Sequence, residues 1–273
     1  MLSSFLIALR EGLEAALIVG ILAAYVVKTD RRYLLTPIWT GVSAALALSV
    51  ALGGFLGFTS SELSDRGETF FAGTTSIVAV ALVTWMVFWL KRTARALREE
   101  LQGKVEEAAV VGPLALAAAA FFAVAREGLE TALFLYSNFR TVGSKTPVIV
   151  GLVIGLTLAI SLGYLIYRKA INLNLSKFFS ITGVALIVVA AGVLSYAVHE
   201  FQELGWLPGE NSYIWDVTGW MAPDSLIGTL LAGTIGFDTT TSWLQFVVWS
   251  AYLVGVISLY VRTPSKAPAA VAR

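Results

Sequence analysis

The chain has 273 residues, 57% of them hydrophobic and only 14% charged, with a mean hydropathy of +0.78. Soluble proteins carry about 25% charged residues, so this composition excludes an ordinary soluble domain and points to a polytopic membrane protein. The net charge of +1 gives no basis for nucleic-acid binding, and the absence of cysteine excludes disulfides, thiolate metal sites and a cysteine nucleophile.

Seven stretches reach the length of about 20 residues needed to span a bilayer. They lie near 3–27, 36–58, 70–90, 112–137, 147–167, 177–198 and 242–261. The first is interrupted by Arg10, Glu11 and Glu14, so it reads as a retained transmembrane helix rather than a cleavable signal peptide. Residues 91–110 read as an amphipathic cytoplasmic extension of the third helix. The long connection, 199–241, is acidic and carries Trp206, Trp215 and Trp220, with Trp243 at the start of the next helix. These tryptophans suit an interfacial aromatic belt. Within that connection Ser225–Phe237 is apolar but too short to span, and reads as a re-entrant or surface-lying helix.

Lysine and arginine set the orientation. Lys28, Arg31, Arg32, Lys91, Arg92, Arg95, Arg98, Lys104, Arg168, Lys169, Lys177, Arg262, Lys266 and Arg273 fall on one side, and Arg66, Arg140 and Lys145 on the other. The bias predicts an N-terminus outside and a C-terminus in the cytoplasm. The fold expected is therefore an all-α polytopic membrane protein of seven transmembrane helices.

One five-residue stretch occurs twice, in the first and fourth helices: Arg10-Glu11-Gly12-Leu13-Glu14 and Arg126-Glu127-Gly128-Leu129-Glu130. Each ionisable residue costs roughly 2.5–3.5 kcal/mol at a helix centre on insertion scales. Six of them must face one another or a wet cavity. The copies are 116 residues apart, an offset of three helices, so the second copy enters the membrane upside down. Inverted repeats of this kind hold a transporter's site at their interface near mid-membrane. The expected organisation is a first three-helix repeat over 1–110, a second over 111–198, an extracytoplasmic segment over 199–241, and a seventh helix with cytoplasmic tail over 242–273.

In each motif the two glutamates are three residues apart and share a helix face. Each arginine precedes the second glutamate by four residues and can keep that carboxylate ionised. Gly12, Ala16 and Gly20 form a small-residue stripe on the first helix, and Gly128 and Ala132 a shorter one on the fourth, expected to bring those two helices together. Glu11, Glu14, Glu127 and Glu130 then converge as a metal site, with Arg10 and Arg126 as supporting charge. Four carboxylates and two guanidiniums sum to −2. Hard oxygen ligands suit Mg²⁺, Ca²⁺, Mn²⁺ and iron, and do not choose among them. The same residues also fit a buried ion-pair lock, a metal-free proton relay or a catalytic site.

His199, Glu200 and Glu203, at the outer end of the sixth helix, are candidate outer capture residues; the run is not H-E-x-x-H, since its fifth residue is glutamate. Glu62, Asp65 and Glu68 repeat the three-residue spacing in an outer loop. Gly143-Ser144-Lys145-Thr146 lacks the Gly-Lys dipeptide and upstream glycine of a phosphate loop.

Twin R-E-G-L-E motifs in the first and fourth of seven helices, with His-Glu-x-x-Glu ending the sixth, resemble the oxidase-linked iron permease family. That family includes the fungal high-affinity iron permeases and the bacterial EfeU-type permeases, and the compact length resembles the bacterial branch. The resemblance implies iron, Fe²⁺ or Fe³⁺, as transported substrate rather than permanent cofactor, bound in transit by Glu11, Glu14, Glu127 and Glu130. It also implies a plasma-membrane location (the bacterial inner membrane), no enzyme activity, and extracytoplasmic oxidase or peroxidase and iron-binding partner proteins. The alternatives are a Mn²⁺ or Mg²⁺ permease, a proton-coupled exporter, and a membrane metalloenzyme using His199, Glu200 and Glu203.

Overall fold

The computed structural model describes residues 1–93, 112–142, 145–168, 175–222 and 225–263. The predicted amphipathic extension over 91–110 lies almost wholly outside the described residues. The elements are α1 (Leu2–Lys28), a 3₁₀ turn (Arg32–Leu34), α2 (Leu35–Glu62), α3 (Asp65–Thr93), α4 (Pro113–Val142), α5 (Lys145–Tyr167), α6 (Leu175–Glu203), β1 (Tyr213–Asp216), α7 (Leu226–Ile235), β2 (Thr240–Ser242) and α8 (Trp243–Arg262). Among the described residues the fold is all-α apart from the two-stranded antiparallel ribbon of β1 and β2, which the sequence does not predict.

Among the described residues, five helices are long and apolar enough to cross a membrane: those covering 32–60, 65–92, 146–167, 177–203 and 243–262. α1 and α4 fall outside that set because the R-E-G-L-E charges interrupt their apolar sequence. The helices show apolar side chains outward as well as inward. Val50, Phe58, Ile160, Ile181, Val254 and Val261 are all exposed. A helix apolar all round belongs in a bilayer or a core, and here the outward half lies outside the core of the chain.

Three pairings build the bundle: α1 along α5, α2 along α4, and α3 along α6. α1 and α5 run parallel, since Gly151 lies against the Met1 carbonyl, Gly155 against Phe5 and Ala8, and Gly163 against Ala16. α2 and α4 also run parallel, with Gly41 against Ala117 and Phe121, and Gly128 against Ser49. α1 crosses α4 in the opposite sense. Ser3 Oγ donates to Asn138 Oδ1 (2.6 Å) near one end, while Ile18 and Leu22 share a core with Leu116, Ala120 and Val124 near the other.

These contacts correct the expected use of the motif glycines. A side chain on Gly12 would strike Leu156 and Ala159 of α5, and one on Gly128 would strike Ser49 of α2; Gly20 faces open space. The small stripes therefore seat α1 on α5 and α4 on α2. Glycine and glutamate neighbours point about 100° apart on a helix. A face that presents glutamates to α4 cannot also present Gly12 to it.

α6 extends one turn beyond its expected end at 198, to Glu203. It closes where Gly205 adopts φ +73° and donates to the Gln202 carbonyl (2.9 Å), a left-handed ending that glycine tolerates without cost. The expected short apolar helix in the long connection is α7. Ser225 caps its start by accepting from Gly228 N, and Gly236 ends it at φ +69°. Gly236 also touches Gly192 of α6 backbone to backbone, so a Cβ on either residue would collide. α8 opens on a capping box of Ser242 and Gln245. Ser242 Oγ donates to Gln202 Oε1 (2.9 Å), tying the start of α8 to the end of α6.

Candidate metal centre

The antiparallel crossing of α1 and α4 sets the two motifs beside each other. Carboxylate oxygens of Glu11, Glu14 and Glu127 all lie within 4.8 Å of one another, and all three residues are buried. Glu130 is buried as well but stands outside this three-oxygen cluster. It is one helical turn beyond Glu127, and Arg126 holds it there: Arg126 Nε donates to Glu130 Oε1 at 3.1 Å.

The two arginines are not equivalent. Arg10 is fully buried, with Nε 3.2 Å from Glu14 Oε1 and Nη1 3.8 Å from Glu11 Oε1. Neither approach has hydrogen-bond geometry; the contact that does is Nη2 to the Met86 thioether (2.6 Å). Arg126 has a side chain 28% exposed and lies over the rings of Trp89 (4.4 Å to the centroid) and Trp85 (5.1 Å). One stretch of α3 thus receives both guanidiniums, through soft and π partners that accept charge without competing as strong anions.

Buried atoms of the site have bonding capacity to spare. Glu11 Oε2, Glu127 Oε2, Glu130 Oε2 and Arg126 Nη2 have no hydrogen-bond partner among the described residues. Unsatisfied buried carboxylate oxygens are costly unless something else completes them, and a hard cation is the group that oxygen clusters of this kind accept.

A cavity of about 900 Å³ reaches the cluster between α1, α2, α4 and α5. Glu11 and Glu127 line its inner part, with Ser49, Gly128 and Thr131; Ser60 and Glu68 line its other end. Ser49 Oγ donates to Ala45 O (2.8 Å) and Thr131 Oγ1 to Glu127 O (2.7 Å). With their protons committed to backbone, both hydroxyls have only oxygen lone pairs left for the cavity. At the far end Ser60 Oγ donates to Glu68 Oε1 (3.3 Å).

Of the outer residues, Glu68 reaches the cavity. Asp65, in the first turn of α3, does not line it. His199 and Glu203 pair on α6, Nε2 to Oε1 at 3.5 Å, with both side chains partly exposed. Glu200 is instead buried against Gly73 of α3, so the three do not converge as one cluster. A three-residue spacing leaves about 60° between side chains, enough to put Glu200 into the α3–α6 seam and Glu203 outside it. Met86, Trp85, Trp89, Ser49 and Thr131 are site residues that the sequence reading missed. Tryptophan and serine in apolar helices are common, and no spacing marked these.

The iron permease FTR1 family description matches residues 1–263. The ferrous iron permease EfeU of Escherichia coli O157:H7 is 38% identical over 264 residues, covering 95% of each chain. That of Shigella sonnei is likewise 38% identical over 95% of each chain. The Yersinia pestis protein of the same name is 36% identical, over 95% of this chain and 93% of its own. No solved structure matches the chain.

Proposed function

Because the chain belongs to the iron permease FTR1 family, a family of multi-pass membrane proteins, we propose that it carries iron across the plasma membrane into the cytoplasm through the paired R-E-G-L-E motifs. The single observation that carries this reading is the buried oxygen cluster of Glu11, Glu14 and Glu127, open through Glu11 and Glu127 to a cavity lined with further oxygen donors. Glu130 completes the set from the next turn. The reading is a transporter, not an enzyme.

The architecture proposed is a pair of inverted three-helix repeats, 1–110 and 111–198, followed by the 199–241 segment and a seventh span in 242–273. It is supported by the packing. Exchanging the first three helices with the next three turns the α1–α5 pairing into the α4–α2 pairing and leaves the α1–α4 and α3–α6 pairings unchanged. α1 and α4 are then spans despite their charges, because those charges face each other and not lipid. With the N-terminus outside, the cavity opens outward. Iron enters past Glu68 from extracytoplasmic iron-handling partners and reaches Glu11 and Glu127.

The relatives are named ferrous iron permeases, and Fe²⁺ suits this site by charge. Four carboxylates and two guanidiniums sum to −2, and a divalent ion brings the buried total to zero. A neutral total minimises the cost of desolvating the loaded site. Uptake of radioactive iron into proteoliposomes tests the proposal: Glu127→Gln is expected to abolish it in protein that remains folded. Undiminished uptake overturns the glutamate site. Competition by Mn²⁺ or Mg²⁺ at equal concentration would move the substrate reading to another hard cation.

A further inference from the structure

The cavity meets the glutamates through Glu11 and Glu127. Glu11 and Glu127 line it, whereas Arg126 does not; yet the Arg126 side chain is 28% exposed. It therefore surfaces elsewhere. The cavity's outer end includes Glu68 in the first turn of α3. Trp85 and Trp89 lie 17 and 21 residues further along that helix, about 26–32 Å away along its axis. Neither tryptophan lines the cavity, whose lining comes from α1, α2, α4 and α5 with Glu68 of α3, so Arg126 meets α3 on a face of the site that the cavity does not occupy. Trp85 and Trp89 are four residues apart and share one face of α3, and the guanidinium lies over both rings. Its Nε holds Glu130, while Nη2 is buried without a partner among the described residues.

We propose that Trp85 and Trp89 are positioning residues that clamp Arg126 beside Glu130 and so close the glutamate site on a face that the cavity does not occupy. The clamp gives Arg126 a resting place that does not depend on Glu130. A cation arriving at the cluster competes with Arg126 for that carboxylate. When the cation takes it, the guanidinium keeps its aromatic partners but no longer covers Glu130, and the site opens on that side. Arg10, fully buried on Met86, has no such freedom. The two motifs, alike in sequence, are thereby given different tasks: the α1 arginine is fixed and the α4 arginine is the movable closure. This inference rests on the reading that the glutamates carry the ion.

The test is passive leak of iron from preloaded proteoliposomes. Trp85→Leu combined with Trp89→Leu is expected to raise the leak roughly tenfold, with Trp89→Phe alone keeping most of the closure. A folded double-leucine variant as tight as the wild type overturns the clamp. If that variant does not fold, site-specific fluorotryptophan at position 89, which keeps the ring's shape but weakens its π face, decides. Leak that climbs with each added fluorine supports the clamp, and leak indifferent to fluorine count overturns it. Adding Glu127→Gln separates the two levels of the proposal. It should abolish the extra leak; leak that persists means iron bypasses the glutamates, which overturns the site reading and the clamp with it.

Discussion

Glu11 on α1 and Glu127 on α4 reach the same cavity from antiparallel helices, and each is the first glutamate of its motif. The second glutamates, Glu14 and Glu130, lie nearest their own arginines, at 3.2 and 3.1 Å, while Glu11 keeps a longer approach of 3.8 Å to Arg10. The repeated motif therefore supplies two kinds of carboxylate: one pair that lines the cavity and one pair set closest to the arginines.

That division predicts different outcomes for the two pairs. Truncating one partner of a buried charged cluster costs about 2–5 kcal/mol, so Glu11→Gln or Glu127→Gln should weaken iron binding by roughly thirtyfold or more. Their thermal stability without iron should hold or rise, because a buried charge is removed. Iron at about 100 times its Kd should stabilise the wild type by about 2.7 kcal/mol. A thermal-shift titration in detergent, with and without iron, would expose the absence of this stabilisation in the Glu11→Gln, Glu127→Gln double variant.

The arginines should separate in the opposite test. Arg10 is fully buried among Glu14, Glu11 and Met86. Arg10→Ala leaves Glu14 buried and uncompensated, which costs about 3–5 kcal/mol. Arg126→Ala, at a partly exposed position, should cost clearly less. Thermal unfolding of the two variants side by side measures the difference; equal losses would contradict the asymmetry.

Gly128 presses on Ser49 where α4 meets α2. Gly128→Ala should destabilise by about 1–3 kcal/mol, the usual cost of overpacking. Ser49→Gly in the same chain should recover most of it. The coupling energy from the double-mutant cycle reports the contact directly, and a value near zero would place the glycine elsewhere in the packing.

Glu68 stands at the far end of the cavity from Glu127, with Ser60 as its hydrogen-bond partner. Ser49 and Ser60 are 11 residues apart on α2, so roughly 16 Å separates the two levels. Glu68 cannot ligate an ion held at the cluster; it can only raise the local concentration of cations at the entrance. Glu68→Gln should raise the KM for iron several-fold and leave the maximal uptake rate unchanged, a split that initial-rate uptake curves resolve. A fall in maximal rate would instead assign Glu68 to a later step.

Much of this was legible in the sequence. Apolar runs of about twenty residues separated by charge announced an all-α fold, with five helices among the described residues long and apolar enough to span, because a backbone in hydrocarbon must satisfy its hydrogen bonds within a helix. Two copies of three charges in such runs had to meet, because nothing else in a bilayer offsets their desolvation. The four-residue step from arginine to the second glutamate fixed the two intrahelical pairs, because that step is a turn of helix.

Periodicity states which residues share a face, but not which neighbour that face meets. Only the tertiary packing turned Gly12 toward Ala159 and Gly128 toward Ser49, and set the glutamates of α1 and α4 beside one another. Only packing sent Glu200 into the seam with α3 while Glu203 stayed outside with His199. The partners of the arginines, Met86, Trp85 and Trp89, come from a helix with no charge pattern to announce them. Helix rotation about its own axis is decided by the summed shape of many small contacts, and no local run of sequence contains that sum.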